Sequence, residues 1–266
     1  MLQIGADLTC QKPTEAAYTP NEDLMIPYLE LRLINAFRAL HRSDGEIKLS
    51  PSCQRLVAFL AVRGPLPRPY VAFRLWPDHP EDQALACLRT TLWRLPRWGE
   101  HVFVQADTST LRLGDSVEVD INRCYVEAAT WEDGAAPPPG LEIDRFASDI
   151  LTDWYDDWAL MERERFRQVR LHLLERLSGW ATRSGRFTEA IAAALWAVEG
   201  GPLRESGYRC LARAHLAEGN VDEAVHHVAT YLAELGRSGL PRRLSPAMME
   251  LFPGNALRVL APLAKR

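Results

Sequence analysis

Along the stretch EDQALACLRTTLWRLPRW, Glu81 to Trp98, four leucines and a set of polar groups alternate with helical spacing. Leu85, Leu88, Leu92 and Leu95 fall on one stripe, which must bury. The opposite side then carries Gln83, Ala86, Cys87, Thr90, Arg94 and Arg97, with Trp93 to one side and Arg89 at the edge of the stripe. The chemistry open to such a face is recognition by hydrogen bonds. A guanidinium such as that of Arg94 can fork onto guanine O6 and N7, the Gln83 amide can take an adenine edge, and Thr90 can meet a thymine methyl. Arg89 and Arg97 suit phosphates, which set register and carry the salt-dependent part of affinity. Trp93 suits either a sugar–phosphate surface or a protein interface. A solvated helix face accounts for the same residues as well.

Reaction chemistry has no comparable signal. The chain contains no GxxxxGK[ST] phosphate loop, no HExxH, no GxSxG and no acidic pocket motif of a phosphate-accepting receiver. Five cysteines, at 10, 53, 87, 124 and 210, form no CxxC pair and are odd in number. That spacing argues against a disulfide framework or a zinc site. His226 and His227 are neighbours, and neighbours on a helix point about 100° apart and chelate poorly. Asp153, Asp156 and Asp157 fit a helix start better than an acid/base pair. Neither an enzyme, nor a cofactor, nor a metal is expected.

At 266 residues the chain can form two modest domains, each with its own core. Residues 1–27 are polar, with no basic segment followed by an apolar one, and predict a disordered leader. No apolar run approaches the roughly 20 residues of a membrane span, so a cytoplasmic protein is expected. Between Arg38 and Arg97 ten basic residues face five acidic ones, although the whole chain carries a net charge of −4. This asymmetry points weakly to a polyanion partner for the first half, and scattered solvated charge explains it equally well.

Stepping outward from the candidate helix, Leu29, Leu31 and Leu33 alternate with Glu30, Arg32 and Ile34 and run through the turn SDG into EIKLS, predicting a small antiparallel sheet. Ser50 and Pro51 open a first helix at N-cap and N1, with Leu56, Phe59, Leu60 and Val62 as its apolar positions and Gly64 as its end. A second short helix starts near Pro69 and turns Val71, Leu75 and Trp76 inward. The third is the Glu81 helix, which Pro96 stops. HVFVQADTSTLRLGDSVEVD then alternates on both sides of a polar tip, a hairpin followed by a last short strand.

Three prolines in EDGAAPPPGLE, 132–142, mark a linker. Beyond it LSGWATRSGRFTEAIAAALWAV (177–198) and LARAHLAEGNVDEAVHHVATYL (211–232) align at a constant offset of 34 residues. The alignment pairs Gly185 with Gly219 at turns and Ala190 with Ala224 where helices cross, the tetratricopeptide pattern. The helix DWYDDWALMERERFRQVRLHLLERL supplies the further packing partner that two repeats need. Of Trp154, Tyr155, Trp158, Trp180, Trp196 and Tyr208, at least four are expected in packing. Residues 141–236 hold sixteen acidic against eleven basic side chains, which argues against this half gripping DNA.

Sheet, three helices and hairpin, in that order, resemble the OmpR-type winged helix-turn-helix. LRTTLWRL and TLRLGDSVEVDINR are similar to the DNA-binding half of SARP-type bacterial transcriptional activators. DWYDDWALMERERFRQ, GRFTEAI, PLRESGYRCLARAHLAEGN and YLAELG resemble the bacterial transcriptional activator domain that follows it in that family. The resemblance implies a mainly α fold with a small β part: a winged helix over 28–131, a linker at 132–142, an all-α TPR-like activator domain over 143–250 and a tail at 251–266. It implies double-stranded DNA as partner through Gln83, Arg89, Thr90, Trp93, Arg94 and Arg97, with Thr108, Ser109 and Arg112 of the hairpin as the wing. RNA polymerase and a homodimer on DNA follow by the same resemblance. Two features depart from the family: LPRW ends the third helix where further basic residues often follow, and Glu81 and Asp82 would repel a phosphate near its start. A protein-interaction adaptor that has lost DNA, or a regulator whose helical half senses a ligand, are the alternatives.

Overall fold

The computed structural model describes residues 28–132, 134–138 and 143–252. The leader expected over 1–27 lies outside the described residues, as do most of the 251–266 tail and part of the linker.

Strands β1 (Leu29–Arg32), β2 (Arg38–His41) and β3 (Gly45–Ile47) form the expected antiparallel meander. Leu29, Leu31 and Leu33 are fully buried beneath it, while Glu30 and Arg32 pair at 2.7 Å on the outer face. Helix α1 (Pro51–Arg63) has Pro51 in its first turn and ends at Gly64, whose φ of 77° lies in the region open to glycine. Ser50 takes the N-cap position with extended backbone, but its hydroxyl makes no capping bond. A two-residue strand, β4 (Leu66–Pro67), leads into α2 (Arg68–Leu75), which buries Val71, Ala72 and Leu75. Helix α3 (Glu81–Arg94) stops as predicted: Leu95 has extended backbone, the conformation that a following proline imposes.

The hairpin is β7 (Val104–Ala106) with β8 (Thr110–Leu113), and β4 joins it as a third strand. Before it, β5 (Arg97–Trp98) and β6 (His101–Val102) form a small ribbon. The last strand, β9 (Val117–Val119), runs parallel to β1, so the four-stranded sheet has the order β3-β2-β1-β9 and is not purely antiparallel. Alternation alone does not reveal a pairing partner some ninety positions away. Helix α4 (Asp120–Thr130) follows at once and was absent from the sequence reading. The Asp120 carboxylate anchors it, accepting the backbone N–H groups of Leu33, Ile34 and Ile121 at 2.8–3.0 Å. Burial, outweighing these amides, raises the pKa of that carboxyl above its ordinary value.

Residues 143–156 are not part of a continuous helical array. After a single 3-10 turn (Ile143–Phe146) the chain runs back beside β1. Leu151 N donates to Leu33 O at 2.8 Å, Thr152 N to Asn35 O at 2.8 Å and Asn35 N to Asp149 O at 2.7 Å. Helix α5 (Asp157–Arg183) then begins four residues later than the DWYDD pattern suggested. Helices α6 (Phe187–Gly200), α7 (Glu205–Glu218) and α8 (Val221–Arg237) stack on it in sequence, and α9 (Pro246–Met249) closes the described part. The repeat holds in three dimensions. Gly185 and Gly219 turn the chain with φ of 72° and 96°, and Ala190 and Ala224 are fully buried. Tyr155 is 80% exposed, whereas Trp158 and Tyr208 are buried and Trp154, Trp180 and Trp196 pack at the core's edge.

The expectation of two separate cores does not hold. One cluster of buried side chains runs from Leu29 through Phe59, Leu88, Ile121, Phe146 and Trp158 to Ala197, and a second gathers Tyr208, Val228, Leu232 and Phe252. Helix α1 is the shared member. One side of it meets α3, where the Cys53 thiol lies 3.6 Å from Thr91 O. The other meets α5: Phe59 packs edge-on to Trp158 at 5.1 Å, Arg55 pairs with Asp156, and Arg63 pairs with Glu162 at 2.7 Å.

Candidate nucleic-acid interface

Helix α3 buries Ala84, Leu88 and Thr91, with Leu95 buried just beyond it. Leu85 and Leu92, expected at the centre of the buried stripe, are only half-buried and flank it. The stripe is therefore rotated from the leucine pattern. Thr91 faces α1, where its carbonyl lies 3.6 Å from the Cys53 thiol, and it satisfies its hydroxyl on Cys87 O at 2.8 Å. The rotation moves the outer face too. Arg89 is exposed, not at the edge of the core, and Trp93, 82% exposed, stands near the middle of the open face instead of to one side.

Gln83, Thr90, Arg94 and Arg97 are exposed as expected, and Ala86 and Cys87 are half-buried between them. Thr90 donates its hydroxyl proton to Ala86 O at 3.0 Å, which leaves its methyl group and oxygen lone pairs outward. Among the described residues, no hydrogen bond or ion pair engages the side chains of Gln83, Arg89, Arg94 or Arg97. Two guanidiniums, Arg89 and Arg94, thus stand with the Trp93 indole on one helix face without an internal partner, while Arg97, expected on that face, lies beyond the helix in β5 because Pro96 ends α3. Glu81 and Asp82 occupy the first turn, where they complement the positive end of the helix dipole and make that end unwelcoming to a phosphate.

The far end of α3 is held by groups that no periodicity could have singled out. His101 stacks on Tyr28 at 3.6 Å, Trp98 stacks on His41 at 4.5 Å, and the Trp98 indole N–H donates to Asp44 at 3.1 Å. These residues come from one end of the sheet and from the β5–β6 ribbon, and together they hold the ribbon that carries Arg97.

The wing differs in kind. Its tip is tied down by Asp107, whose carboxylate accepts the N–H groups of Ser109 at 2.8 Å and Thr110 at 2.5 Å. These bonds hold the Asp107 carboxyl below its ordinary range. Arg68, a residue that sequence reasoning passed over, donates from Nε to Asp107 O at 3.0 Å and from its backbone N to Ser109 O at 2.9 Å. Arg112 is paired with Asp115 through both terminal nitrogens, and Thr108 and Ser109 are exposed.

Among the described residues no group of three or more His, Cys, Asp or Glu could hold a metal. Burial pushes the Cys124 thiol up to about 12 and the Cys210 thiol up to about 11, too high for a nucleophilic thiolate near neutrality. His226 is exposed, but His227 is half-buried and stacks on the buried His215 at 5.2 Å, so the pair is not simply solvated. No helix of the described residues is long and apolar enough to cross a membrane.

Comparison with known proteins bears on the helical half first. Residues 143–250 match the family described as bacterial transcriptional activator domain. Over the whole fold it is similar to the structure of Mycobacterium tuberculosis EmbR in complex with a low-affinity phosphopeptide, with a TM-score of 0.66 and 15% identity, covering 90% of this chain and 70% of that one. At that identity the likeness concerns the fold, and it extends through the winged helix as well as the activator domain. No curated protein matches the chain. The match over residues 143–250 agrees with the resemblance read in the helical half, and the winged-helix half shares its fold with the EmbR structure.

Proposed function

We propose that this protein is a sequence-specific DNA-binding transcriptional activator that acts in the cytoplasm by contact, without catalysis. The observation that carries this reading is the open face of α3: Arg89 and Arg94 without internal partners beside an exposed Trp93, on a helix whose apolar side is buried, with Arg97 exposed just beyond it in β5. In the proposal α3 enters the major groove, which admits a helix and presents a distinct donor–acceptor pattern for each base pair. Arg94 forks onto a guanine, Gln83 takes an adenine and Thr90 meets a thymine methyl. Arg89 and Arg97 hold phosphates, and Trp93 packs on the sugar–phosphate wall. Two copies bind direct repeats upstream of a promoter, and the activator domain helps RNA polymerase engage.

One observation favours a second reading. An exposed tryptophan at the centre of a face is also the commonest kind of protein-docking anchor, as in an adaptor that has left DNA. A mobility shift on duplexes selected by the protein from a random library, repeated across salt, separates the two. DNA binding predicts retention that weakens steeply as salt rises. A protein that retains no duplex at low salt is an adaptor, and the DNA reading fails.

A further inference from the structure

Most of the wing's charged and polar donors are occupied from within, the exposed Thr108 hydroxyl excepted. Arg112 reaches Asp115 through both Nη1 and Nη2, the second at 3.3 Å, and Gln105 donates to the same carboxylate at 3.1 Å. The backbone N–H groups of Ser109 and Thr110 and the Ser109 hydroxyl all turn to Asp107. Arg68 spends its Nε on Asp107 O. From Gln105 to Asp115 the wing holds two carboxylates and one guanidinium. The contrast with α3, whose arginines have no such partners, is the point of departure.

We propose that Asp115 is a built-in brake on DNA affinity: it holds Arg112 in an internal ion pair and keeps the wing from gripping a phosphate, so that α3 alone carries binding. An exposed ion pair of this kind adds little to folding. Its effect here is on the partner. It neutralises the guanidinium, fills the bidentate geometry that a phosphate would use, and sets a carboxylate beside a polyanion. The inference rests on the DNA-binding reading of the previous subsection and concerns how strongly that same surface holds DNA.

The test uses the full chain, a duplex selected from a random library by the unmodified protein, and a scrambled duplex of the same length. Asp115→Asn keeps the shape and can still accept from Gln105, but releases Arg112. The variant should bind both duplexes more tightly, by a similar factor, because a phosphate contact is blind to sequence. One added phosphate contact steepens the logarithmic salt slope by about 0.9, so its advantage over the parent should be about 3.5-fold larger at 50 mM than at 200 mM salt. Arg112→Ala in the parent loses no phosphate contact, so its slope should be unchanged while the uncovered Asp115 carboxylate lowers affinity slightly, and Arg112→Ala with Asp115→Asn should erase the gain. Thermal unfolding of each variant checks that the fold is kept. The proposal is overturned if Asp115→Asn binds as the parent does, if the double variant keeps the gain, or if Arg112→Ala alone weakens the parent and flattens its slope. A parent that retains neither duplex overturns the DNA reading itself, which is a separate failure.

Discussion

Arg170 is 3% exposed and lies where the chain returns from the linker to the sheet. Its Nη1 donates to the carbonyls of Phe146 at 3.0 Å and Ala147 at 3.1 Å, and its Nε lies 3.2 Å from Asp149. Phe146 and Ala147 end the 3-10 turn and Asp149 opens the segment that pairs with Leu33 and Asn35, so one side chain of α5 braces the join between the two halves. Replacing it with Met should cost about 3–5 kcal/mol, the range for removing one partner of a buried charge pair, read by urea unfolding. The arginines of α3 make the opposite prediction. Arg89 and Arg94 have no internal partner, so Arg89→Ala and Arg94→Ala should each leave stability within about 0.5 kcal/mol in the same experiment. A large loss there would mean that these side chains serve the fold and not a partner.

Among the elements, α7 and α8 carry the clearest pH dependence. His227 on α8 faces His215 on α7, and burial first, then the neighbouring His215 and His226, keeps its imidazole below its ordinary value of 6.5, with Glu223 opposing. The unfolded chain therefore binds this proton more readily than the folded one. Stability should be fully present above the ordinary value and fall as pH drops through it, levelling off below the folded-state value. Thermal unfolding of the parent and of His227→Phe across this range checks the claim, because the phenylalanine variant should lose that part of the slope. The repeat that contains these helices was legible in the sequence because its positions are local: Gly185 and Gly219 turn, and Ala190 and Ala224 permit crossing, whatever surrounds them. The end of the linker was not. Asp149–Thr152 has no strand pattern of its own and takes its conformation from Leu33 and Asn35. Helix α3 lies between these cases. Gln83, Thr90 and Arg94 are exposed where they were expected, but Arg97 falls beyond the helix in β5, and the leucine count misplaced the buried centre, which includes Ala84 and Thr91 and leaves Leu85 and Leu92 half-buried.

For the whole molecule, the continuous core from Leu29 to Ala197 makes the winged helix and α5 a single packing unit, with α1 between the reading helix and the activator domain. Unfolding of that unit should be one cooperative transition, and a fragment ending at residue 131 should expose the face of Phe59 that Trp158 covers and bind an apolar dye that the full chain does not. Two well-separated calorimetric transitions, one for each half, would contradict this. Sequence patterning located both halves and missed their union, because contacts between α1 and α5 depend on Arg55, Arg63 and Phe59, each of which also suits a self-contained winged helix. The central claim is that the open face of α3 reads base edges, and an affinity profile across single base-pair changes of a selected duplex, for the parent and for Arg94→Ala, tests it most directly. The account predicts that Arg94→Ala loses about 1–3 kcal/mol on the selected sequence and becomes indifferent at one base pair while keeping the remaining preferences. An unchanged profile, or a uniform loss with every preference retained, would contradict it.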